Sequence, residues 1–534
     1  MSRPAREAGA ALGTGPLDDG TAVAVSSHQL ASQAAIDTMT AGGNAVDAAV
    51  AANAVLGVVL PDTCGPGGDL FALVHNPGDQ APAALNASGR AGAGASAQRL
   101  RDTGHTEIPR RSRDSITVPG CVDGWESLVG RFGARPLADD LATAVGLANE
   151  GFPVSEELAA SLERLEPVIG DQASAGPLFP EQRPPLPGDI ITRPLLAETL
   201  AAVASGGRGA FYEGQVGRAI TDMTGGIITA EDLLGNQSEW IEPLGTDIMG
   251  LAAWTIPPNS QGWLTLATLA IFELLDPPRD PLDPAYHHAL IEAYRSVVWE
   301  RADMTSDPDS ASLDPSWLLD EARLADRAEQ IDKASAQPWP ATTALSGGTT
   351  YLTTRDRTGM AVSLIQSNFR GIGTGLSAGA TGVWLHDRGD GFTLRPGHPN
   401  ELSAGRRPLH TLSPTLWTHD GGAALVLGTR GGDQQPQLLA QVAAHHRWAG
   451  LCPEDSQSQP RWSITDITEP EPAVLLEGRF APGTVSGLTE RGHSLTEVGR
   501  WEAGWGPVSV ISMDPDLRAG ADPRVSTSAA LWAE

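Results

Sequence analysis

The spacing of apolar and polar positions changes several times along the chain, and each change marks an element. Thr21-Ala22-Val23-Ala24-Val25 predicts a short strand. From His28 to Ala41 the spacing is helical, and it stops at Gly42-Gly43, a glycine C-cap signal. Asn44 is a good N-cap and restarts a helix through Leu56. That second helix is apolar on nearly every face, which predicts burial, and it is too short and interrupted to span a membrane. Pro61 to Asp69, containing Gly65-Pro66-Gly67-Gly68, breaks it. Phe71–Val74 and Ala83–Asn86 then read as paired strands leading to Ser88-Gly89-Arg90. Much later, Gly347-Gly348 runs into Thr349-Thr350-Tyr351-Leu352-Thr353-Thr354, a turn entering an alternating strand.

Composition narrows the picture. The 534 residues are 41% hydrophobic, enough for a large core. A formal net charge of −29 argues against nucleic acid or an anionic membrane as partner. Lys333 is the only lysine, so a Walker-type phosphate loop and a Ser-x-x-Lys acylase site are both missing. Cys64, Cys121 and Cys452 lack zinc or disulfide spacing and read as structural. No histidine pattern suggests a metal, and no cofactor is implied. Met1 to Gly20 has no apolar core of a signal peptide, so the chain reads as cytoplasmic.

The Gly-Gly-Thr-Thr step carries the candidate chemistry. A threonine hydroxyl is a weak nucleophile without an adjacent base, and a threonine that is itself a chain N-terminus supplies that base from its own amine. Cutting Gly348–Thr349 creates that arrangement, and glycine tolerates the bent backbone such a cut needs.

Several stretches in a fixed order resemble the γ-glutamyltranspeptidase family. They begin with Gly42-Gly43-Asn44-Ala45-Val46-Asp47-Ala48-Ala49 and the Gly65-Pro66-Gly67-Gly68-Asp69 turn. They continue through Val118-Pro119-Gly120, Gly225-Gly226-Ile227-Ile228-Thr229 and Pro257-Pro258-Asn259-Ser260 to Gly373-Thr374-Gly375, Ser413-Pro414-Thr415 and Gly431-Gly432. The resemblance implies an α+β fold, the four-layer α/β/β/α sandwich of N-terminal-nucleophile hydrolases. It implies a precursor that cuts itself: a flexible tail over 1–20, a large chain over 21–348 and a small chain over 349–534, intertwined as one catalytic domain. Pro177 to Pro194 is expected as a surface loop, and Asp303 to Pro340 as an exposed tail near the cut.

The same resemblance assigns roles. Thr349 matches the nucleophile. Thr350 and Thr353 share its strand and could hold the new amine. Ser367 competes with Gln366 and Asn368 for the group that bonds the nucleophile's oxygen. Gly431 and Gly432 match an oxyanion hole of two backbone N–H groups. Arg90 matches the arginine that clasps a substrate carboxylate in bidentate fashion.

Two positions depart from the family. Its aspartate for the glutamyl α-amine corresponds to Gly391, with Asp390 one residue away as a substitute, and its serine pair is replaced by His410 and Thr411. His410 is either a satisfied structural histidine or a donor to a substrate carboxylate or oxo group. A site that keeps Arg90 but loses the amine-binding groups suits a small acyl substrate with a carboxylate and no α-amine, as in a divergent branch that acts on oxamate-type acids. A hydrolase removing an oxalyl-type group across a C–C bond in antibiotic biosynthesis, a true glutathione hydrolase, and an unprocessed acid-binding protein are the alternatives. On this reading Gly391→Asp with His410→Ser would restore γ-glutamyl preference.

Overall fold

The computed structural model describes residues 13–310, 314–342, 347–465 and 467–534. The helix expected from Asn44 runs over Ala45–Val59, and all 15 of its residues are buried. A capping box starts it: the Asn44 side chain accepts from the Val46 and Asp47 backbone, and the Asp47 carboxylate accepts from the Asn44 N–H. The helix before it, Gln29–Thr40, packs alongside.

Both helices lie on a seven-stranded antiparallel sheet. Its order is Ala529–Ala533, Ala22–Ser26, Thr350–Arg355, Ala361–Ser367, Asp69–His75, Ala83–Ala87 and Glu239–Ile241. A six-stranded antiparallel sheet stacks on it, in the order Arg518–Ala521, Val508–Ser512, Gly422–Thr429, Thr415–His419, Leu251–Thr255 and Leu244–Ile248. Side-chain alternation along each strand explains the layering. Leu70, Ala72 and Val74 face the outer helices, whereas Phe71 and Leu73 meet Ile256, Leu416 and Val426 of the second sheet. Trp263–Leu275, Pro284–Val298 and Gln435–Ala443 cover that sheet's far side. The result is the α/β/β/α sandwich expected above.

Two expectations about loose segments change. Residues 1–12 of the tail lie outside the described residues, but Thr14 and Leu17 donate backbone hydrogen bonds to Ala519 and Leu517, so the end of this segment is tied to a sheet edge. Asp303 to Pro340 is not an exposed tail. It contains the helix Glu321–Gln330, and Leu318, Leu319, Leu324 and Ile331 are buried in the second core. Its polar composition hid an apolar stripe spaced for one helical face. Among the described residues, no helix is long and apolar enough to cross a membrane.

Candidate active site

Thr349 stands at the entrance of Thr350–Arg355, a strand in the middle of the first sheet, and is fully buried. The antiparallel neighbour Ala361–Ser367 returns its last residue to the same level. There Thr349 Oγ1 lies 3.2 Å from Ser367 Oγ, and Ser367 Oγ donates to the Gly348 carbonyl oxygen at 2.6 Å. One hydroxyl therefore touches both the candidate nucleophile and the carbonyl it would attack. Of the three competing residues, only Ser367 makes this contact. Gln366 faces the other way and bonds the Gly65 backbone, and the Asn368 side chain is buried with neither amide atom bonded to a partner. The same alternation turns Thr350 away, toward the Gln366 carbonyl at 3.5 Å. Thr353 lies farther along the strand, its hydroxyl buried without a partner. Neither hydroxyl bonds the Thr349 hydroxyl in the uncut chain.

Close packing dictates the glycine before Thr349. A Cβ on Gly348 would stand 2.8 Å from the Gly371 backbone nitrogen, which cannot rotate aside. Gly371 belongs to a turn in which Phe369, Arg370 and Gly371 all have left-handed φ, at 60°, 45° and 75°. Two of these residues carry side chains that disfavour that region, a local strain of order 1–3 kcal/mol each. The turn sets the Phe369 ring against Gly347 and directs Arg370 onto Asp390.

Gly347, Gly348, Gly371 and Gly431 line a cavity of about 1050 Å³ with Asp387 at its wall. Burial pushes the Asp387 carboxyl up to about 6 despite the hydrogen bond from Ser115. The Gly432 Cα approaches the β-position of Gly347 to 3.7 Å, so the Gly431-Gly432 pair faces the cut region. Gln261 ties this pair in place, donating to the carbonyls of Gly432 at 2.9 Å and Thr411 at 3.0 Å. Arg301 in turn bonds both Gln261 and Asp433.

His410 is held by a carboxylate at one ring nitrogen, while its Nδ1 is buried without a hydrogen-bond partner. Its Nε2 lies 2.9 Å from Asp69 Oδ2, its ring meets Phe71 edge-on, and it has no exposed surface. Burial drives its imidazole down to about 3, so it is neutral at physiological pH. Burial opposes ionisation of Asp69, but nearby His386, the hydrogen bond to His410 and the N–H groups of Gly89 and Gly120 outweigh it and hold the carboxyl at about 2. Thr411 turns its hydroxyl toward Arg388.

Arg90 and Asp390 stand apart from this group. The Arg90 guanidinium is paired with Glu239 at 2.8 Å, Asp307 at 3.4 Å and Asp309 at 3.5 Å, and it does not line the cavity. Asp390 is bound by Arg370 and Arg110, and with Gly391 it lines a different cavity of about 650 Å³. A Cβ on Gly391 would fall 2.5 Å from the Leu409 carbonyl oxygen, so an aspartate there requires the backbone to move. Sequence reasoning missed Arg388, which is fully buried beside Ser367. Its only signal was an arginine in a stretch otherwise rich in Gly and Asp.

Two stacked antiparallel sheets between helical layers, with a threonine and a hydroxyl partner at the head of a central strand, have the form of an N-terminal-nucleophile hydrolase. The Gamma-glutamyltranspeptidase family model matches residues 31–532. The chain is 35% identical over 514 residues to the Glutathione hydrolase-like YwrD proenzyme of Bacillus subtilis, across 94% of this chain and 96% of that protein. It is 34% identical over 524 residues to the Oxamate amidohydrolase proenzyme of Klebsiella pneumoniae, across 95% and 98%. The backbone superposes on cephalosporin acylase from Bacillus halodurans with a TM-score of 0.88 and 31% identity, across 96% of this chain and 95% of that one. This protein belongs to the γ-glutamyltranspeptidase family, and it is an enzyme of that family's hydrolase and acyltransferase type.

Proposed function

We propose that the chain is a self-processing amidohydrolase for a small carboxylate-bearing substrate, working through an acyl-threonine. The observation that carries this reading is the placement of Ser367 Oγ between Thr349 Oγ1 and the Gly348 carbonyl oxygen. In the precursor, Thr349 Oγ1 adds to the Gly348 carbonyl carbon while Ser367 donates to the oxygen on which charge develops. The C–N bond breaks as the acyl group moves to oxygen, and water hydrolyses the ester. Residues up to Gly348 then end in a carboxylate, and Thr349 gains a free amine. That amine takes the proton from its own hydroxyl for each later attack on substrate. The substrate amide carbon forms an ester with Oγ1, the amine leaves with a proton, and water releases the acid. Gly431 and Gly432 are the oxyanion donors in this scheme.

The similarity to an oxamate amidohydrolase proenzyme supports an acid of that type as substrate. Mass spectrometry of the purified protein tests the first step. Two fragments are expected, the smaller beginning at Thr349, and Thr349→Ala should stay whole. Wild-type protein that remains uncut yet turns over substrate would defeat the mechanism.

A further inference from the structure

Arg388 has no exposed surface. Its Nη2 donates to Ser367 Oγ at 3.5 Å and its Nη1 to Thr411 Oγ1 at 3.4 Å, both long, while Nε has no partner. The guanidinium carbon lies 3.9 Å from the centre of the Phe369 ring. Nearby acids are engaged by other groups: Asp69 by His410, Asp390 by Arg370 and Arg110, and Asp387 by Ser115. No carboxylate among the described residues forms an ion pair with Arg388. Burial pulls this guanidinium down to about 9, outweighing Asp69, Asp390 and Asp387, which offset the charge from a distance without a direct ion pair. Gly347 lies against the Phe369 ring, so departure of the segment ending at Gly348 uncovers the ground beside Arg388.

We propose that Arg388 is the anchor for the substrate's carboxylate, and that its closeness to Thr349 selects a two-carbon acyl group of the oxamate or oxalyl-amide type. The inference rests on Thr349 as nucleophile and adds the residue and the chain length. Arg388 Nη2 and Thr349 Oγ1 both lie within hydrogen-bond reach of the same Ser367 oxygen, so two such lengths at most separate them. A charge-assisted N–H···O bond occupies about 2.8 Å of that span, and an attacking oxygen stands about 3–3.5 Å from its carbon. These contacts already fill the span, so the acid that bridges it with the least bending is the shortest one, with its carboxylate bonded directly to the reacting carbonyl. A glutaryl or γ-glutamyl group puts three carbons between the two and does not fit extended. In the reaction, Oγ1 bonds the amide carbon, the C–N bond breaks, the amine leaves protonated, and water frees oxalate from Thr349. Arg388 faces the acid's negative charge throughout.

The test uses the processed protein with oxamate, malonamate, succinamate and glutaramate, following ammonia release. Oxamate should have the highest kcat/KM, falling at least tenfold with each added carbon. Arg388→Met, assayed on protein that has already cut itself, should raise KM for oxamate at least 100-fold with far less change in kcat, and Arg388→Lys should recover part of the loss. A KM within threefold of wild type in Arg388→Met, or equal turnover of glutaramate and oxamate, overturns the proposal. If both variants fail to fold, inhibition of the wild-type protein decides: oxalate much stronger than glutarate supports the anchor, and equal inhibition overturns it. A chain that cuts itself but whose KM for oxamate is unmoved in Arg388→Met loses only the anchor, whereas a chain that never cuts itself loses the nucleophile reading and the anchor together.

Discussion

The Ser367 hydroxyl donates to the Gly348 carbonyl at 2.6 Å, across the peptide bond that joins Gly348 to Thr349. Ser367 also accepts the Phe369 N–H at 2.8 Å, which fixes its oxygen in place before any reaction. A donor already aimed at a carbonyl needs no reorganisation as charge builds there.

Ser367→Ala should therefore slow self-cleavage by about 10²-fold, the usual loss for one oxyanion donor. Fragment appearance on a denaturing gel over hours gives the rate, and Ser367→Thr should retain most of it. Cutting of Ser367→Ala at the wild-type rate would assign the role to another group.

Arg90→Ala should change KM by less than about fivefold. Arg90 is a quarter exposed and held by three acids, and partly exposed pairs of this kind contribute roughly 0–1 kcal/mol. Steady-state kinetics on oxamate would check this, and a rise of 100-fold would restore Arg90 as the carboxylate clasp expected from the sequence.

Glutathione and γ-glutamyl anilides should be poor substrates, by one to two orders of magnitude in kcat/KM against an amine-free acid. An α-ammonium would meet the Arg388 cation, and Asp390 is already bound by Arg370 and Arg110; an unpartnered buried ammonium costs on the order of 1–3 kcal/mol or more. Gly391→Asp with His410→Ser should not repair this, contrary to the expectation from the sequence. The new side chain would press on the Leu409 carbonyl, and removing His410 would take from the buried Asp69 the hydrogen bond at its Oδ2. A gain of γ-glutamyl activity in the double variant, measured by anilide release, would contradict the structure.

Acid should destabilise the fold well above the carboxylate range. Burial holds His28 and His287 at about 4 and His410 and His493 at about 3, against 6.5 for a free imidazole. Between those values the unfolded chain binds more protons than the folded one, so stability rises with pH across that window and is lost as pH falls from about 6.5 toward 3. Asp69, held at about 2, adds a loss that begins below its unfolded value of 3.8. Asp387 and Asp140, pushed by burial up to about 6 and about 8, act in the opposite sense. Calorimetry should therefore give a Tm that holds or rises slightly from pH 8 to 7 and drops below 6 as the imidazoles take over. A Tm that increases from pH 7 to pH 5 would contradict the assignment.

Sequence periodicity alone determined the elements whose signals are local. Asn44 with Asp47 caps a helix through contacts three residues apart, and thirteen apolar or glycine positions among its fifteen leave that helix no place but the interior. Gly348-Thr349 stood out as a candidate because a threonine nucleophile has few ways to acquire a base. Tertiary structure decided what depends on contacts between distant parts of the chain. Ser367, Gln366 and Asn368 are neighbours in sequence, and only the pairing of two strands shows which one reaches Thr349. His410 acquired a carboxylate partner because Asp69, more than three hundred residues earlier, meets its ring in the core. Arg90 was bound by three acids from two separate segments, while Arg388 was left buried without a direct ion pair. Whether a charge has a partner is a property of the packed chain, because the partners come from segments that only folding brings together.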